Sequence, residues 1–265
     1  MRELPSALDD FAAIRDRCAG RELVLFLDYD GTLTPIVSRP RDATLSPEMR
    51  RVLARLAALA PVAVVSGRDR ADVAERVGLG ELYYAGSHGF DLSGPGGLRE
   101  EHPGGVAAVP EFDRAEEELR RRLAEVPGAE VERKRFSLAV HYRNTPEARV
   151  GEVVSAVDSV HRRLDGLRRG RGKKVLELQP AVDWHKGRAI LRLLDRLGLD
   201  RPDVLPLYLG DDRTDEDAFR ALQGRGVGVH VGPLDRDTAA DYRLADVGEV
   251  EELLERIAGW LEERR

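Results

Sequence analysis

Residues 23–32 read Leu23-Val24-Leu25-Phe26-Leu27-Asp28-Tyr29-Asp30-Gly31-Thr32. An unbroken apolar run that ends in two carboxylates and a glycine predicts a strand buried on both faces, the kind found in parallel sheets. In open α/β sheets, ligands bind at the carboxyl ends of such strands. On extended backbone, residues i and i+2 point the same way, so Asp28 and Asp30 are expected to share one small site. Neighbouring carboxylates repel unless something offsets them, and a divalent cation does so directly. Gly31 permits a sharp turn with backbone N–H groups facing an anion. Asp-x-Asp alone reads as readily as a turn with incidental acids. The apolar strand before it and Gly-Thr after it argue against that plainer reading.

Outward from this strand the pattern alternates. Ser46-Pro47 forms an N-cap with proline at the first helical position. Met49, Val52, Leu53, Leu56 and Leu59 follow at helical spacing, and Pro61 ends the helix. Val62–Val65 is a second strand, a helix runs through Val73 and Val77, and Leu82–Ala85 is a third strand. Strand and helix in alternation is the doubly wound pattern. It returns after residue 182: a helix carries Ala189, Ile190, Leu193, Leu194 and Leu197, and Leu205–Leu209 is a strand. Asp217–Leu222 is a short helix and Val227–Val231 a strand. A capping box at Asp246–Glu249 opens a last helix.

The middle reads differently. Gly94-Pro95-Gly96-Gly97 and Pro103-Gly104-Gly105 look like turns or a hinge. A helix with Phe112, Ala115, Leu119 and Leu123 on one face follows, then two strands within Ala129–Val140. Thr145-Pro146 is read as the cap of a long helix, and Val175–Leu178 as one more strand. The expected organisation is a first core segment at 1–105, an inserted α+β unit at 106–181 and a second core segment at 182–265. Residues 103–182 hold 16 basic and 13 acidic side chains, so the remainder of a chain of net charge −6 carries −9. A basic insert beside an acidic core suits an anionic substrate.

The 265 residues are 42% hydrophobic and 34% charged, which allows a sizeable core and excludes a wholly disordered chain. No apolar run is long enough to span a membrane. Met1–Asp10 lacks the apolar stretch of a secretory signal, so a cytoplasmic protein without a membrane partner is expected. Cys18 is the single cysteine, which excludes an internal disulfide and disfavours a thiolate zinc site. Of 42 basic residues only Lys134, Lys173, Lys174 and Lys186 are lysine, so one lysine carries more weight than one arginine. Net acidity and 5% aromatic residues argue against a nucleic-acid partner.

Three further strand or helix tips carry candidate chemistry. Gly210-Asp211-Asp212-Arg213-Thr214-Asp215-Glu216-Asp217 follows an apolar strand. Acids at a helix start favour its positive end, which accounts for Asp215–Asp217. Asp211 and Asp212, at the strand tip, fit a metal better, and oxygen donors select magnesium over zinc. Ser66-Gly67 at the tip of Val62–Val65 places a hydroxyl for a phosphoryl oxygen. Lys186 at a helix start can offset a phosphate together with the helix N–H groups. Alone, neither of these two is specific. Together the four tips describe phosphoryl transfer: Asp28 as nucleophile, Asp30 as general acid and base, and Ser66, Lys186 and magnesium on the phosphoryl oxygens.

These motifs resemble those of the haloacid dehalogenase-like phosphatases. The resemblance implies an α/β, Rossmann-like core with a parallel sheet and an inserted smaller α+β cap. It implies magnesium held by Asp28, the Asp30 backbone carbonyl and Asp211, with Asp215 beside it, and phosphate bound by Gly31, Ser66, Gly67 and Lys186. A narrower resemblance, to the trehalose-6-phosphate phosphatase family, rests on Gly86-Ser87-His88-Gly89, Glu132-Arg133-Lys134, His141-Tyr142-Arg143, Lys174–Glu177, Asp183–Gly187 and Gly210–Phe219. His185 departs from the Asp or Asn usual before Lys-Gly. This resemblance implies hydrolysis of trehalose 6-phosphate, with His88, Glu132, Lys134, His141, Arg143 and Glu177 on the sugar.

Hydroxyl-rich sugars need charged and amide-like partners of fixed geometry, and those residue types supply them. His141 also reads as a satisfied strand histidine, and Arg143 as compositional arginine. Arg168–Lys174 reads as a charged turn. Other sugar-phosphate phosphatases, acting on sucrose 6-phosphate or mannosyl-3-phosphoglycerate, and a silent sugar-phosphate-binding regulatory module are the competing readings. A small-molecule sugar phosphate is the expected partner, and the features are compatible with a monomer.

Overall fold

The apolar run becomes the central strand of a sheet in a computed structural model that describes residues 4–37, 39–172 and 174–264. The first segment contains α1 (Phe11–Arg17), β1 (Glu22–Leu27), α2 (Pro47–Ala57), β2 (Val62–Val65), α3 (Arg70–Val77), β3 (Tyr83–Gly86), β4 (Asp91–Gly94) and β5 (Leu98–Glu101). Then come α4 (Pro103–Leu123), β6 (Glu130–Lys134), β7 (Ser137–His141), α5 (Val150–His161), β8 (Leu167–Gly172) and β9 (Val175–Pro180). The last segment holds α6 (Lys186–Arg196), β10 (Val204–Gly210), α7 (Glu216–Leu222), β11 (Val227–Val231), β12 (Tyr242–Leu244) and α8 (Val247–Glu263). Two compact units result, Met1–Glu100 with Trp184–Arg265, and Glu101–Asp183.

The first unit is built on an eight-stranded sheet of order β12-β11-β10-β1-β2-β3-β4-β5. From β12 through β3 every pair is parallel. β1 lies between β10 and β2, and Leu27 is level with both Leu209 and Val64. The alternation of side chains along a strand divides β1 between two cores. Leu23, Leu25 and Leu27 enter one cluster with Met49, Leu53, Leu253 and Ile257. Val24 and Phe26 enter the other with Ile190, Leu194, Tyr208 and Phe219. Helices therefore cover both faces, which is why β1 reads as continuous apolar sequence rather than as an alternation.

Local signals act as expected at several element ends. The Ser46 hydroxyl accepts from the Met49 N–H at 2.9 Å and opens α2. Asp246 accepts from the Gly248 and Glu249 N–H groups at the start of α8.

The expected parallel sheet is there, and one edge adds an antiparallel strand, β4 against β3. The Gly94–Gly97 stretch is the turn between β4 and β5, two short strands that are half-exposed in part and lack an apolar pattern.

The second unit has a four-stranded sheet of order β6-β7-β9-β8, with each adjacent pair antiparallel. Leu138, Val140, Leu176 and Leu178 pack with Phe112 and Leu119 of α4 and Val153 and Val157 of α5.

Three expectations fail in this unit. Pro103-Gly104-Gly105 is the first turn of α4 rather than a hinge. Proline fits that position, where the N–H is orphaned anyway, and His102 Nδ1 accepts from the Gly104 N–H at 3.1 Å. Thr145-Pro146 leads into a single 3-10 turn at Glu147–Arg149, and α5 starts after it without a side-chain cap. The basic run is not simply a turn: Leu167–Gly172 is strand β8, held by its ladder with β9, while Lys173 lies outside the described residues. Among the described residues, no helix is long and apolar enough to cross a membrane.

Candidate active site

The centre of the site forms where β1, β10 and α6 end or begin together. Asp28 follows β1 and stays in its ladder, with its N–H donating to the Leu209 carbonyl at 2.9 Å. Lys186 is the first residue of α6, and Asp211 and Asp215 follow β10. Lys186 Nζ donates to Asp28 Oδ1 at 2.8 Å and to Asp215 Oδ1 at 2.6 Å. All three side chains are buried. Asp215 is fixed from two more directions: the Tyr208 hydroxyl donates to Oδ1, and the Asp212 N–H to Oδ2 at 2.8 Å. Carboxylate oxygens of Asp28, Asp211 and Asp215 lie within 4.8 Å of one another.

Three carboxylates against one ammonium leave negative charge unbalanced in a place with little water. Burial first, and then the charges of Asp215 and Asp211, push the Asp28 carboxyl well above the usual range against the pull of Lys186. Asp211 is pushed up to about 6 by burial and by the Asp215 charge. Burial pulls Lys186 down, but Asp215 and Asp28 outweigh it and hold the lysine above its ordinary value. Such a cluster fits a hard divalent cation, because every donor is oxygen and the surplus charge is negative. Gly31 confirms how tight the cradle is. Its φ is +89°, and a Cβ there would lie 2.2 Å from Asp211 Oδ2. Side chains are excluded on both counts.

Asp30 contributes no carboxylate to this cluster. The chain leaves extended geometry after Asp28, with the Gly31 N–H donating to the Thr34 carbonyl at 2.8 Å. The Asp28 and Asp30 carboxylates therefore have separate partners rather than a common cluster. Asp30 instead faces Arg68, whose Nε and Nη2 each donate to one carboxylate oxygen at 2.6 Å. Ser66 is buried at the tip of β2 and accepts from the Arg68 N–H at 3.1 Å. The His88 ring lies against Gly67, where a Cβ would be 2.8 Å from His88 Cε1. His88 itself donates its N–H to the Ser66 carbonyl at 2.8 Å. Ser87 and His88 both hold positive φ, at 50° and 59°. That conformation is unusual for residues with side chains and recurs at functional sites.

The rest of the acidic run has local duties. Asp212 caps the following turn, with its side chain accepting from the Arg213 N–H. Glu216 accepts from the Ala239 N–H at 2.9 Å, and Asp217 pairs with Arg220 at 3.3 Å.

Within the second unit, Glu132, Ala139, Glu177 and Gly170 are level with one another across β6, β7, β9 and β8. Small residues separate and flank the two acids, on the face opposite the apolar residues that meet α4 and α5. Glu132 accepts from His141 Nε2 at 2.7 Å, and Lys134 is 3.7 Å away. The His141 hydrogen bond holds Glu132 below the usual carboxylate range, with Lys134 adding to it. Glu177 accepts from Gln179 Nε2 at 3.1 Å. Arg143 lies in an exposed turn beyond β7, outside this row.

Arg68 and Tyr208 escaped the sequence reading. Arg68 was one of 38 arginines in a chain with only four lysines. Its one signal was its place two residues after Ser66 at a strand tip. Tyr208 read as a core strand residue, which it also is, with its ring 5.6 Å from that of Phe219.

This sheet order, with Asp28 at the central tip, Ser66 beside it and Lys186 bridging to the acidic pair, defines a haloacid dehalogenase-like phosphatase. The model of the trehalose-phosphatase family matches residues 26–248. The chain belongs to that family. It is 45% identical to the trehalose-phosphate phosphatase of Mycobacterium tuberculosis, over 99% of this chain and 68% of that protein. It is 41% identical to probable trehalose-phosphate phosphatase 2 of Oryza sativa subsp. japonica, over 98% of this chain and 74% of that one. The fold is similar to the C-terminal domain of trehalose-6-phosphate phosphatase from C. albicans, with a TM-score of 0.78 at 23% identity, covering 97% of this chain and 99% of that one.

Proposed function

We propose that the protein hydrolyses trehalose 6-phosphate to trehalose and phosphate through an aspartyl-phosphate on Asp28. The observation that carries this reading is the buried contact of Lys186 with Asp28 and Asp215, beside Asp211, in a chain of this family. Asp28, Asp211, Asp215 and the backbone carbonyl of Asp30 would hold magnesium. When bound, the ion offsets negative charge on the carboxylates and on the phosphoryl group.

An Asp28 carboxylate oxygen attacks phosphorus, and the bond from phosphorus to the sugar oxygen breaks. Asp30 gives its proton to the departing alkoxide. It then takes a proton from water, whose oxygen attacks the same phosphorus. The bond to Asp28 breaks, and phosphate leaves with the carboxylate restored. Lys186 orients Asp28 throughout. Ser66, with the backbone N–H of Gly67, binds the phosphoryl oxygens, while the Gly31 N–H stays on the Thr34 carbonyl. We assign this chemistry to the first unit. The sugar falls to His88 and to the second unit's Glu132, Lys134, His141, Arg143 and Glu177, with the small Ala139 leaving room between the two acids and Gly170 beside Glu177. A charged sugar phosphate does not cross a bilayer unaided, so the same reading puts the protein in the cytoplasm.

Phosphate release with magnesium across trehalose 6-phosphate, sucrose 6-phosphate and mannosyl-3-phosphoglycerate tests the proposal. The expected result is a strong preference for the first, abolished in folded Asp28→Asn. Preference for another ester overturns the sugar assignment alone. No turnover of any ester points to a silent binding module.

A further inference from the structure

Arg68 forks onto a carboxylate as Arg135 and Arg149 do, but it does so from a buried position where theirs are exposed. Its side chain is only 10% exposed, and the carboxylate it holds is 42% exposed. Two N–H groups of one guanidinium edge meet the two oxygens of Asp30, each at 2.6 Å. This is the planar fork-to-carboxylate match that lysine lacks. The guanidinium is itself anchored. Nη1 donates to Asp72 Oδ2 at 3.0 Å, and the cation lies 5.4 Å from the centre of the Tyr29 ring. Asp72 is held in turn by Arg76 at 2.8 Å, which donates onward to the Ala43 carbonyl at 2.9 Å. The backbone N–H of Arg68 also donates to Ser66 Oγ. One three-residue segment therefore carries the proposed phosphate-binding hydroxyl and grips the proposed proton donor.

We propose that Arg68 is a positioning residue that fixes the carboxylate plane of Asp30 for proton transfer to the departing sugar oxygen; this rests on the reading of Asp30 as general acid. Asp30 sits on a turn with nearly half its side chain in solvent, and an unanchored carboxyl there rotates freely. The fork engages one edge of the carboxylate and leaves the other lone pairs at a set angle. Misplacing a catalytic group by about 1 Å costs on the order of 10²-fold in rate.

The test compares two leaving groups. Trehalose 6-phosphate releases a basic alkoxide that needs a proton, while p-nitrophenyl phosphate releases a stable phenolate that does not. The measure is kcat/KM, which reports steps up to departure of the leaving group. Asp30→Asn is expected to lose about 10²–10⁴-fold on the sugar ester and little on the aryl ester. Arg68→Ala is expected to lose about 10²-fold on the sugar ester and under about tenfold on the aryl ester. The Arg68→Ala, Asp30→Asn double variant is expected to be no worse than Asp30→Asn alone.

Equal losses of Arg68→Ala on both esters, or full additivity in the double variant, overturn the proposal while Asp30 keeps its role. Equal losses of Asp30→Asn on both esters overturn the acid reading, and the role of Arg68 with it. Arg68→Lys, which keeps the charge without the fork, is expected to show the same selective loss. It carries the comparison where Arg68→Ala does not fold.

Discussion

Lys186 and Asp215 meet at 2.6 Å where neither side chain reaches solvent, one from the first turn of α6 and the other from the turn after β10. Asp28 shares the same ammonium at 2.8 Å. Removing one partner of a buried charge network costs more than the network is worth, because the remaining charges are stranded. Lys186→Met keeps the apolar stem and deletes the charge. In metal-free protein at pH 7.5 it is expected to lower unfolding stability by about 3–5 kcal/mol and to abolish turnover. Urea denaturation in a chelator checks the first outcome, and an unchanged midpoint would refute it.

The carboxylate cluster ties metal binding to pH. Asp211 rises from its ordinary 3.8 to about 6 in the folded protein, through burial and then the Asp215 charge. An acid raised on folding holds its proton more tightly in the native state. Metal-free stability therefore falls as pH rises from 3.8 to about 6. A cation competes for the same oxygens and relieves that loss. Magnesium is expected to raise the melting temperature clearly at pH 7.5 and much less at pH 5. A gain that is independent of pH in thermal scans counts against these acids as its ligands.

Cys18 is buried, and burial lifts its thiol from 9.0 to about 11 although Arg264, Arg21 and Arg17 pull the other way. The thiolate is the reactive form. At pH 8 the folded protein is expected to react with a disulfide reagent at least about 100-fold more slowly than the protein in urea. The neutral thiol belongs to the folded state, so stability falls as pH rises from 9.0 to about 11. Rapid labelling of native protein would show the thiol to be accessible.

Where a residue's partners were close in sequence, or its burial was on both faces, the chain was legible. Ser46 caps α2, and β1 and β11 lie where their apolar runs fall. β8 was not legible, because Leu167-Arg168-Arg169-Gly170-Arg171-Gly172 has no apolar rhythm and owes its strand form to β9. The four tips of the candidate site were visible as motifs, and their separate partners were not. Spacing put Asp28 and Asp30 together, but a turn sends one carboxylate to Lys186 and the other to Arg68. Asp215 fitted a helix-start acid. It caps its turn through one oxygen and meets Lys186 through the other. Distant pairings of this kind depend on which strand lies beside which.

The pairing of β1 with β10, which sets Glu22 against Val204 and Leu27 against Leu209, also orders events during synthesis. The nascent chain carries Asp28 early but acquires Lys186 and Asp211 only after the whole intervening unit has been translated. A ribosome-bound fragment ending before α6 has a central strand laddered to β2 alone and an Asp28 that still lacks Lys186. The second unit, complete within itself, is free to fold first, while the phosphatase centre waits for the last third of the polypeptide.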